Sequence, residues 1–338
     1  MDHHGCNIFC TDASLRSFAG AVLMAIGMRA EDAAYTAEVI VASDLAGHES
    51  HGMRRLPEYV ERTANGLLVP AERPVIELDM GALVRLDGRL SMGHIALREI
   101  TDLAIDRARA HGITGIALRR ASYAGRIADY CARGARAGVV ILFWFNDSGA
   151  GQVVAPNGGN VARLSTNPIG IGIPRIQDPH FVLDMSTSVV AMGRLSETRD
   201  QGLPVPTDWL TPGGAIRPIG GYKGTGLALV AEALAGILTN SGSVSAHPTE
   251  DGQGVFCVAV DVERLRPLPE FAKEMEDMLA YVRDVPLEPG AKVVRFPGEL
   301  GEASKKERLR QGVPIQSYCW EHLERLSVQF GIQLPAKL

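Results

Sequence analysis

The sequence lacks the features that define several large classes of protein. No apolar stretch approaches the roughly 20 residues that a membrane-spanning helix needs, so a membrane span is not expected. Lysine and arginine (34 residues) do not outnumber aspartate and glutamate (39 residues), and the net charge of -5 offers no basic excess for phosphates. Nucleic acid is therefore not expected as a partner. The first ten residues also lack the basic start and apolar run of a secretory signal.

Cysteine is scarce and scattered. The 338 residues include five cysteines, whose spacing matches no zinc signature apart from a loose pair near the start. An odd number of dispersed cysteines is typical of reduced thiols, which predicts a cytoplasmic protein. The five are Cys6, Cys10, Cys131, Cys257 and Cys319.

The glycine pattern argues against one common nucleotide site. No G-x-G-x-x-G occurs, so an ordinary Rossmann dinucleotide site lacks its main support in the sequence. A glycine-rich loop covers residues 149–159 instead, and isoleucine alternates with glycine from Ile169 to Ile173. Glycine within a strand indicates close approach by a ligand or another backbone, and a tightly packed sheet explains it almost as well.

The spacing of apolar residues predicts a helical start followed by alternating strands and helices. A chain of 338 residues is long enough for two domains. The predicted helices cover residues 12–27, 31–46, 56–64, 95–110, 126–136, 270–283 and 316–330, and one more opens within 220–226 and continues through 238. The predicted strands cover residues 75–78, 83–86, 113–118, 139–145, 181–183, 254–260 and 292–296, with another strand inside 164–174.

Residues 43–59 carry a dense group of ionisable side chains directly after an apolar helical stretch. If the residues from Gly52 onward are helical, His51 and Arg55 lie four residues apart and point the same way. An imidazole exchanges protons near neutral pH, and a guanidinium holds a carboxylate through two parallel hydrogen bonds, so the pair suits a substrate with both a carbonyl and a carboxylate. A polar helix cap explains this stretch equally well. Asp44, His48 and His51 can also share one helix face, which leaves a metal-dependent hydrolase open.

Two further segments have the composition of anion-binding sites. Asp184 ends a short strand and precedes three hydroxyl residues within 184–188, although a helix cap is the better interpretation from position alone. Residues 220–226 place four glycines around Lys223 at the start of an apolar helix. This second segment favours anion binding, but its spacing is not that of a P-loop.

Five short motifs occur in the order found in a known family. They are Ser50-His51-Gly52, Thr166-Asn167-Pro168, Asp184-Met185-Ser186-Thr187-Ser188, Gly220-Gly221-Tyr222-Lys223-Gly224 and Pro297-Gly298-Glu299. Together they resemble the malate/L-lactate dehydrogenase family of NAD(P)-dependent oxidoreductases over nearly the whole chain. The resemblance implies an α+β fold that is not Rossmann. Residues 1–74 with 297–338 would form a helical domain, and residues 75–296 an inserted, mostly antiparallel mixed-sheet domain that binds the nicotinamide cofactor.

The same resemblance implies roles for individual residues. His51 is expected to donate a proton to the substrate carbonyl, with Ser50 as a relay and Asp184 as the acid that orients the imidazole and raises its pKa. The residues expected to contact the substrate are Arg55, as the carboxylate clamp, Tyr123 and Asn167. The residues expected to hold NAD or NADP are Ser186, Thr187, Tyr222, Lys223, Gly298 and Glu299. A homodimer with the active site near the subunit contact is also implied, and no metal is expected.

Three departures from the family pattern concern the substrate and cofactor loops. Tyr123 stands where the family usually has a histidine, the segment between residues 194 and 220 is shorter, and Gly193-Arg194 replaces Gly-Lys. A tyrosine can donate a hydrogen bond but is a poorer acid near neutral pH. The chain is predicted to reduce a small 2-oxo acid or to oxidise the 2-hydroxy acid. A cyclic-imine carboxylate reductase and a catalytically silent member that binds a cofactor or a partner protein are the alternatives.

Overall fold

The computed structural model describes residues 7–147, 151–246 and 252–338. Cys6 and the start of the predicted glycine-rich loop lie outside the described residues. The helices are α1 (Asp12–Ala25), α2 (Ala30–Leu45), α3 (Leu56–Ala64), α4 (Gly93–His111), α5 (Ala128–Arg136), α6 (Met192–Asp200), α7 (Tyr222–Ala231), α8 (Leu268–Arg283), α9 (Glu299–Gln311) and α10 (Ser317–Phe330). The strands are β1 (Ile8–Cys10), β2 (Val75–Asp79), β3 (Leu83–Asp87), β4 (Ile113–Ala121), β5 (Val139–Asp147), β6 (Ile169–Ile173), β7 (Phe181–Met185), β8 (Gln253–Asp261) and β9 (Val313–Ile315).

Seven of these strands form one mixed sheet in the order β2-β3-β4-β8-β5-β6-β7. Strands β3 and β4 are parallel, and the other neighbouring pairs are antiparallel. Because side chains alternate between the two faces of a strand, Ile116, Phe143 and Cys257 point into one buried core with residues of α4 and α5. The predicted α+β class with a mostly antiparallel mixed sheet is confirmed.

A second core joins the two ends of the chain. Strand β1 pairs with β9, with Ile8 opposite Ile315. Buried residues of α1, α3 and α10, among them Phe18, Tyr59 and Trp320, belong to one apolar cluster. Each of these helices has an apolar stripe that must be covered by another element, and the distant end of the chain supplies it. The separation of this core from the sheet core is consistent with a discontinuous helical domain, whose boundaries at residues 74 and 297 stay a prediction.

Two predicted elements differ from the structure. The strand predicted over residues 292–296 is wrong, since these mostly exposed residues carry no regular structure. An alternating apolar pattern forms a strand only where a neighbouring strand supplies hydrogen bonds. The helix predicted to open within 220–226 and continue through 238 becomes a π-helix at Glu232–Leu238. Within the described ranges, the structure contains no helix with the length and apolar character needed to span a membrane.

Candidate active site

The turn that carries His51 is built over a buried aspartate. After α2 the chain forms two short 3₁₀ turns, Glu49–His51 and Met53–Arg55, before α3 begins. The Asp44 carboxylate is buried and accepts a hydrogen bond from Met53 N at 2.8 Å. A Cβ on Gly52 would lie 1.9 Å from Asp44 Oδ1, so glycine is required there. The condition that residues from Gly52 onward are α-helical is therefore not met, because the chain wraps tightly over the carboxylate and α3 begins only at Leu56.

His51, Arg55 and Tyr123 nevertheless form one contact group. Ser50 Oγ lies 2.8 Å from His51 Nδ1, which leaves Nε2 as the ring nitrogen for a substrate. The Tyr123 ring stacks on the His51 ring with centroids 5.9 Å apart, and the Arg55 guanidinium carbon lies 4.5 Å from the Tyr123 centroid. Arg55 Nε also donates to Ser50 O at 2.7 Å. The predicted pairing of an imidazole with a guanidinium thus occurs without the α-helical spacing that suggested it.

The charge state of His51 differs from the expectation. Burial, assisted by the neighbouring Arg55 charge, lowers the pKa of His51 to about 3. Asp184 Oδ2 accepts a hydrogen bond from Ala128 N at 2.9 Å, at the start of α5, and burial raises the pKa of this carboxyl. Burial also raises the pKa of Asp44 to about 8. The expected rise in the His51 pKa through Asp184 is wrong, because burial and the Arg55 charge lower that pKa while the Asp184 carboxyl is turned to the Ala128 amide. His51 is neutral at pH 7.

A cavity of about 570 Å³ lies in front of this group, within the usual volume range of ligand sites. The predicted site residues that line it are Ser50, His51, Arg55, Tyr123, Asn167, Asp184 and Ser186. The predicted site residues outside its wall are Thr187, Tyr222, Lys223, Gly298 and Glu299. The structure therefore brings the predicted catalytic and substrate residues together and places most of the predicted cofactor residues further out.

The turn before α7 adjoins the segment that follows β7. Ile219 N donates to Thr187 O at 2.9 Å, so this turn lies beside the hydroxyl residues after Asp184. The amides of Lys223 and Gly224 already donate to carbonyls within the turn. Lys223 itself is exposed. An anion near this segment would therefore be attracted mainly by the charge of Lys223, and less by backbone amides.

Residues 297–299 run along the other part of β7, which is an edge strand. Val182 N donates to Pro297 O at 3.4 Å, and a Cβ on Gly298 would lie 3.1 Å from His180 O. The Glu299 carboxylate pairs with Arg283 at 2.5 Å. Gly298 thus permits a close approach to the sheet edge, while the Glu299 side chain is already engaged within the protein.

The side chain of Asn167 connects the cavity wall to Ala228 and Glu232. This side chain is fully buried, and Nδ2 donates to Glu232 Oε1 at 2.8 Å and to Ala228 O at 3.1 Å. Glu232 also accepts from Val244 N at 3.1 Å and from Asn146 Nδ2 at 3.3 Å. The buried Glu232 was not predicted as a site residue, although an isolated acid inside an apolar helix was the available signal. Asp44 was not predicted as the support of the His51 turn.

The alternative of a metal site built from Asp44, His48 and His51 is not supported by the structure. The Asp44 carboxylate accepts a hydrogen bond from Met53 N and is occupied within the protein. Within residues 7–147, 151–246 and 252–338, no group of three His, Cys, Asp or Glu side chains is arranged to hold a metal ion. The spacing of Asp44, His48 and His51 therefore does not become a coordination geometry.

Comparison with known proteins identifies the class. Residues 10–324 match the malate/L-lactate dehydrogenase family. The L-lactate dehydrogenase of Cupriavidus necator is 33% identical over 342 aligned positions, covering 95% of this chain and 98% of that protein. The crystal structure of malate dehydrogenase from Entamoeba histolytica has the same fold, with a TM-score of 0.91 at 24% identity over 98% of this chain and 100% of that chain. The crystal structure of delta1-piperideine-2-carboxylate reductase from Pseudomonas syringae has a TM-score of 0.81 at 26% identity, over 94% of this chain and 99% of that chain.

The fold and these matches define an oxidoreductase of the type that interconverts hydroxy and oxo acids. The chain belongs to the malate/L-lactate dehydrogenase family. Membership of a dehydrogenase family implies a nicotinamide cofactor and a small-molecule substrate.

Proposed function

We propose that this protein transfers a hydride between NAD(P) and a small 2-oxo or 2-hydroxy acid, with His51 exchanging the proton. The observation that carries the proposal is that Ser50 positions both His51 and Arg55 on one wall of the cavity. Its hydroxyl contacts His51 Nδ1, and its carbonyl accepts a hydrogen bond from Arg55 Nε. A 2-oxo acid has its carbonyl and carboxylate on neighbouring carbons, so one such wall can bind both groups.

The residues of this wall account for the movement of the proton. In the oxidative direction, neutral His51 accepts the proton of the substrate hydroxyl through Nε2, while Ser50 holds Nδ1. In the reductive direction, His51 has to be protonated first. A substrate carboxylate on Arg55 offsets the guanidinium charge that lowers the His51 pKa, so substrate binding favours the protonated imidazole.

The residues near β7 fit a nicotinamide cofactor. Ser186 borders the cavity, and the exposed Lys223 adjoins the same segment through the Thr187 contact. The residues that would hold the cofactor are Ser186, Thr187, Tyr222, Lys223, Gly298 and Glu299. When bound, the cofactor supplies the hydride donor or acceptor. These groups provide no basis for choosing between NAD and NADP.

We also infer the wider organisation of the protein. The two apolar cores support a helical domain of residues 1–74 with 297–338 and a cofactor-binding domain of residues 75–296. The missing glycine fingerprint supports a cofactor site that is not of the Rossmann type. The family resemblance supports a homodimer, and the buried, unbridged thiols of Cys10, Cys131, Cys257 and Cys319 suit a cytoplasmic location.

Two alternatives keep the same site. A cyclic imine with a carboxylate would use Arg55 and His51 in the same way, and the similarity to delta1-piperideine-2-carboxylate reductase favours it. A catalytically silent member is motivated by Tyr123 at the position of the family histidine.

The test is a titration of the purified protein with NADH and with NADPH, followed by nicotinamide fluorescence. A panel of 2-oxo acids and cyclic imines is then added. We expect binding followed by oxidation of the cofactor. Binding without oxidation across the panel would favour the silent member, and no binding of either cofactor would overturn the proposal.

A further inference from the structure

The cationic side chains that line the cavity are already paired with glutamates. Arg55 Nη1 donates to Glu58 Oε2 at 2.5 Å, and Arg194 Nη1 donates to Glu197 Oε2 at 2.9 Å. In the part of the chain that the structure describes, the cavity wall includes no further lysine or arginine. Both partner glutamates are themselves part of the wall. The cavity therefore has little uncompensated positive charge for an anionic substrate.

A substrate carboxylate that binds Arg55 has to share its guanidinium group with Glu58. A guanidinium binds a carboxylate in parallel through its Nε–Nη2 edge or its Nη1–Nη2 edge. Ser50 O already accepts from Nε, and Glu58 already contacts Nη1. A substrate carboxylate that binds Arg55 thus lies close to the Glu58 carboxylate. The repulsion between them grows in proportion to the negative charge on the substrate.

The Glu58 carboxylate can be removed as a source of this repulsion because it is not the main group that positions Arg55. Its side chain is 37% exposed, whereas the Arg55 side chain is 25% exposed. Arg55 is also held by Ser50 O and by the face of the Tyr123 ring. Loss of the Glu58 charge should therefore change the electrostatic potential of the cavity while Arg55 keeps its position.

We propose that Glu58 is a specificity-determining residue, which makes the site select 2-oxo acids that carry one negative charge over those that carry a second acidic group. The inference rests on the proposed function for its reaction, but Glu58 acts on ligand charge and can be tested by binding alone. Removing one nearby negative charge changes the binding free energy of a dianion about twice as much as that of a monoanion at the same place. A gain of about threefold for a monoanion therefore corresponds to a gain of about tenfold for a dianion.

Oxamate and oxalate are matched probes for this test, because they have nearly the same shape and carry one and two negative charges at neutral pH. Titration calorimetry at fixed ionic strength would measure both dissociation constants, with and without NADH or NADPH. We expect the wild-type protein to bind oxamate about tenfold more tightly than oxalate. In Glu58→Gln the Kd should fall about tenfold for oxalate and about threefold for oxamate.

Glu61→Gln is the matched control, since Glu61 is an exposed acid on the same helix and is not part of the cavity wall. It should shift both constants by less than about twofold, because charges in solvent are screened. Equal affinities for the two probes in the wild-type protein, equal gains in Glu58→Gln, or no binding of either probe would overturn the proposal.

Kinetics separates this inference from the proposed function. With pyruvate and oxaloacetate as substrates, the kcat/KM ratio should move towards oxaloacetate in Glu58→Gln and stay unchanged in Glu61→Gln. Charge-selective binding without turnover of any 2-oxo acid would refute the proposed reaction and support the role of Glu58. Turnover of 2-oxo acids with an unchanged kcat/KM ratio in Glu58→Gln would support the proposed reaction and refute the role of Glu58.

Discussion

The two sides of the proposed site differ in how firmly their polar groups are held. On one side, Ser50, His51, Arg55 and Tyr123 contact one another on a turn fixed by a buried acid. On the other side, at the start of α7, Tyr222 is 71% exposed and the neighbouring lysine is exposed as well. Proton transfer requires fixed geometry, whereas a charged part of a cofactor can be attracted through solvent. The comparison predicts that substitutions will have large effects on the first side and small effects on the second.

A matched pair of glycine substitutions tests this difference in rigidity. Gly52→Ala places a Cβ 1.9 Å from Asp44 Oδ1, so we expect a loss of about 3 kcal/mol in the free energy of unfolding. Gly226→Ala in α7 meets no atom within 4 Å and should stabilise the protein by up to about 1 kcal/mol. Urea denaturation of both variants measures the two changes. Equal effects would remove the proposed contrast between the two sides.

Replacement of His51 tests the chemistry on the firmly held side. His51→Gln keeps a polar side chain but cannot exchange a proton, so kcat should fall by about 100-fold or more. Cofactor affinity, measured by nicotinamide fluorescence, should stay within about twofold, because His51 lies on the substrate wall. His111→Gln changes an exposed histidine at the end of α4 and serves as the control. Wild-type turnover in His51→Gln would refute the proton-transfer role.

The pH dependence of the rate tests the charge state of His51. The pKa of about 3 means that the protonated imidazole becomes rarer by about tenfold for each pH unit above that value. For reduction, kcat/KM should therefore fall by up to about tenfold per unit as the pH rises from 5 to 8, since this parameter reports the free protein. For oxidation, kcat/KM should show no loss from His51 protonation in the same range. A reductive profile that stays flat up to pH 7 would contradict the lowered pKa.

The smallest effect is expected at the exposed side of the site. Lys223→Gln removes a solvated charge, so the Kd of the cofactor should rise by only about three- to fivefold, equivalent to less than about 1 kcal/mol. The difference should shrink at high salt because solvent-exposed charges are screened. Fluorescence titrations at low and high ionic strength would measure it. An effect on kcat larger than that on Kd would mean that Lys223 belongs to the reacting centre.

Short-range signals in the sequence predicted most of the elements. Helices α1 and α2 were found because amphipathic spacing decides which face of a helix can be buried. The strand predicted over 292–296 failed because pairing depends on a neighbouring strand that no local pattern reveals. The hydrogen bonds that satisfy the buried Glu232 likewise come from Asn146 and Asn167, which are distant in the chain.

The sequence by itself determined the family and seven of the residues that line the cavity, because short ordered motifs specify chemical groups that a given reaction needs. It also placed Ser50, His51 and Arg55 within six consecutive residues. The tertiary structure alone decided the charge of His51, the turning of Asp184 towards Ala128 and the pairing of Arg55 with Glu58. A pKa depends on burial and on the charges nearby, and a hydrogen-bonding partner depends on which distant segments pack together, so these properties arise only when the chain is folded.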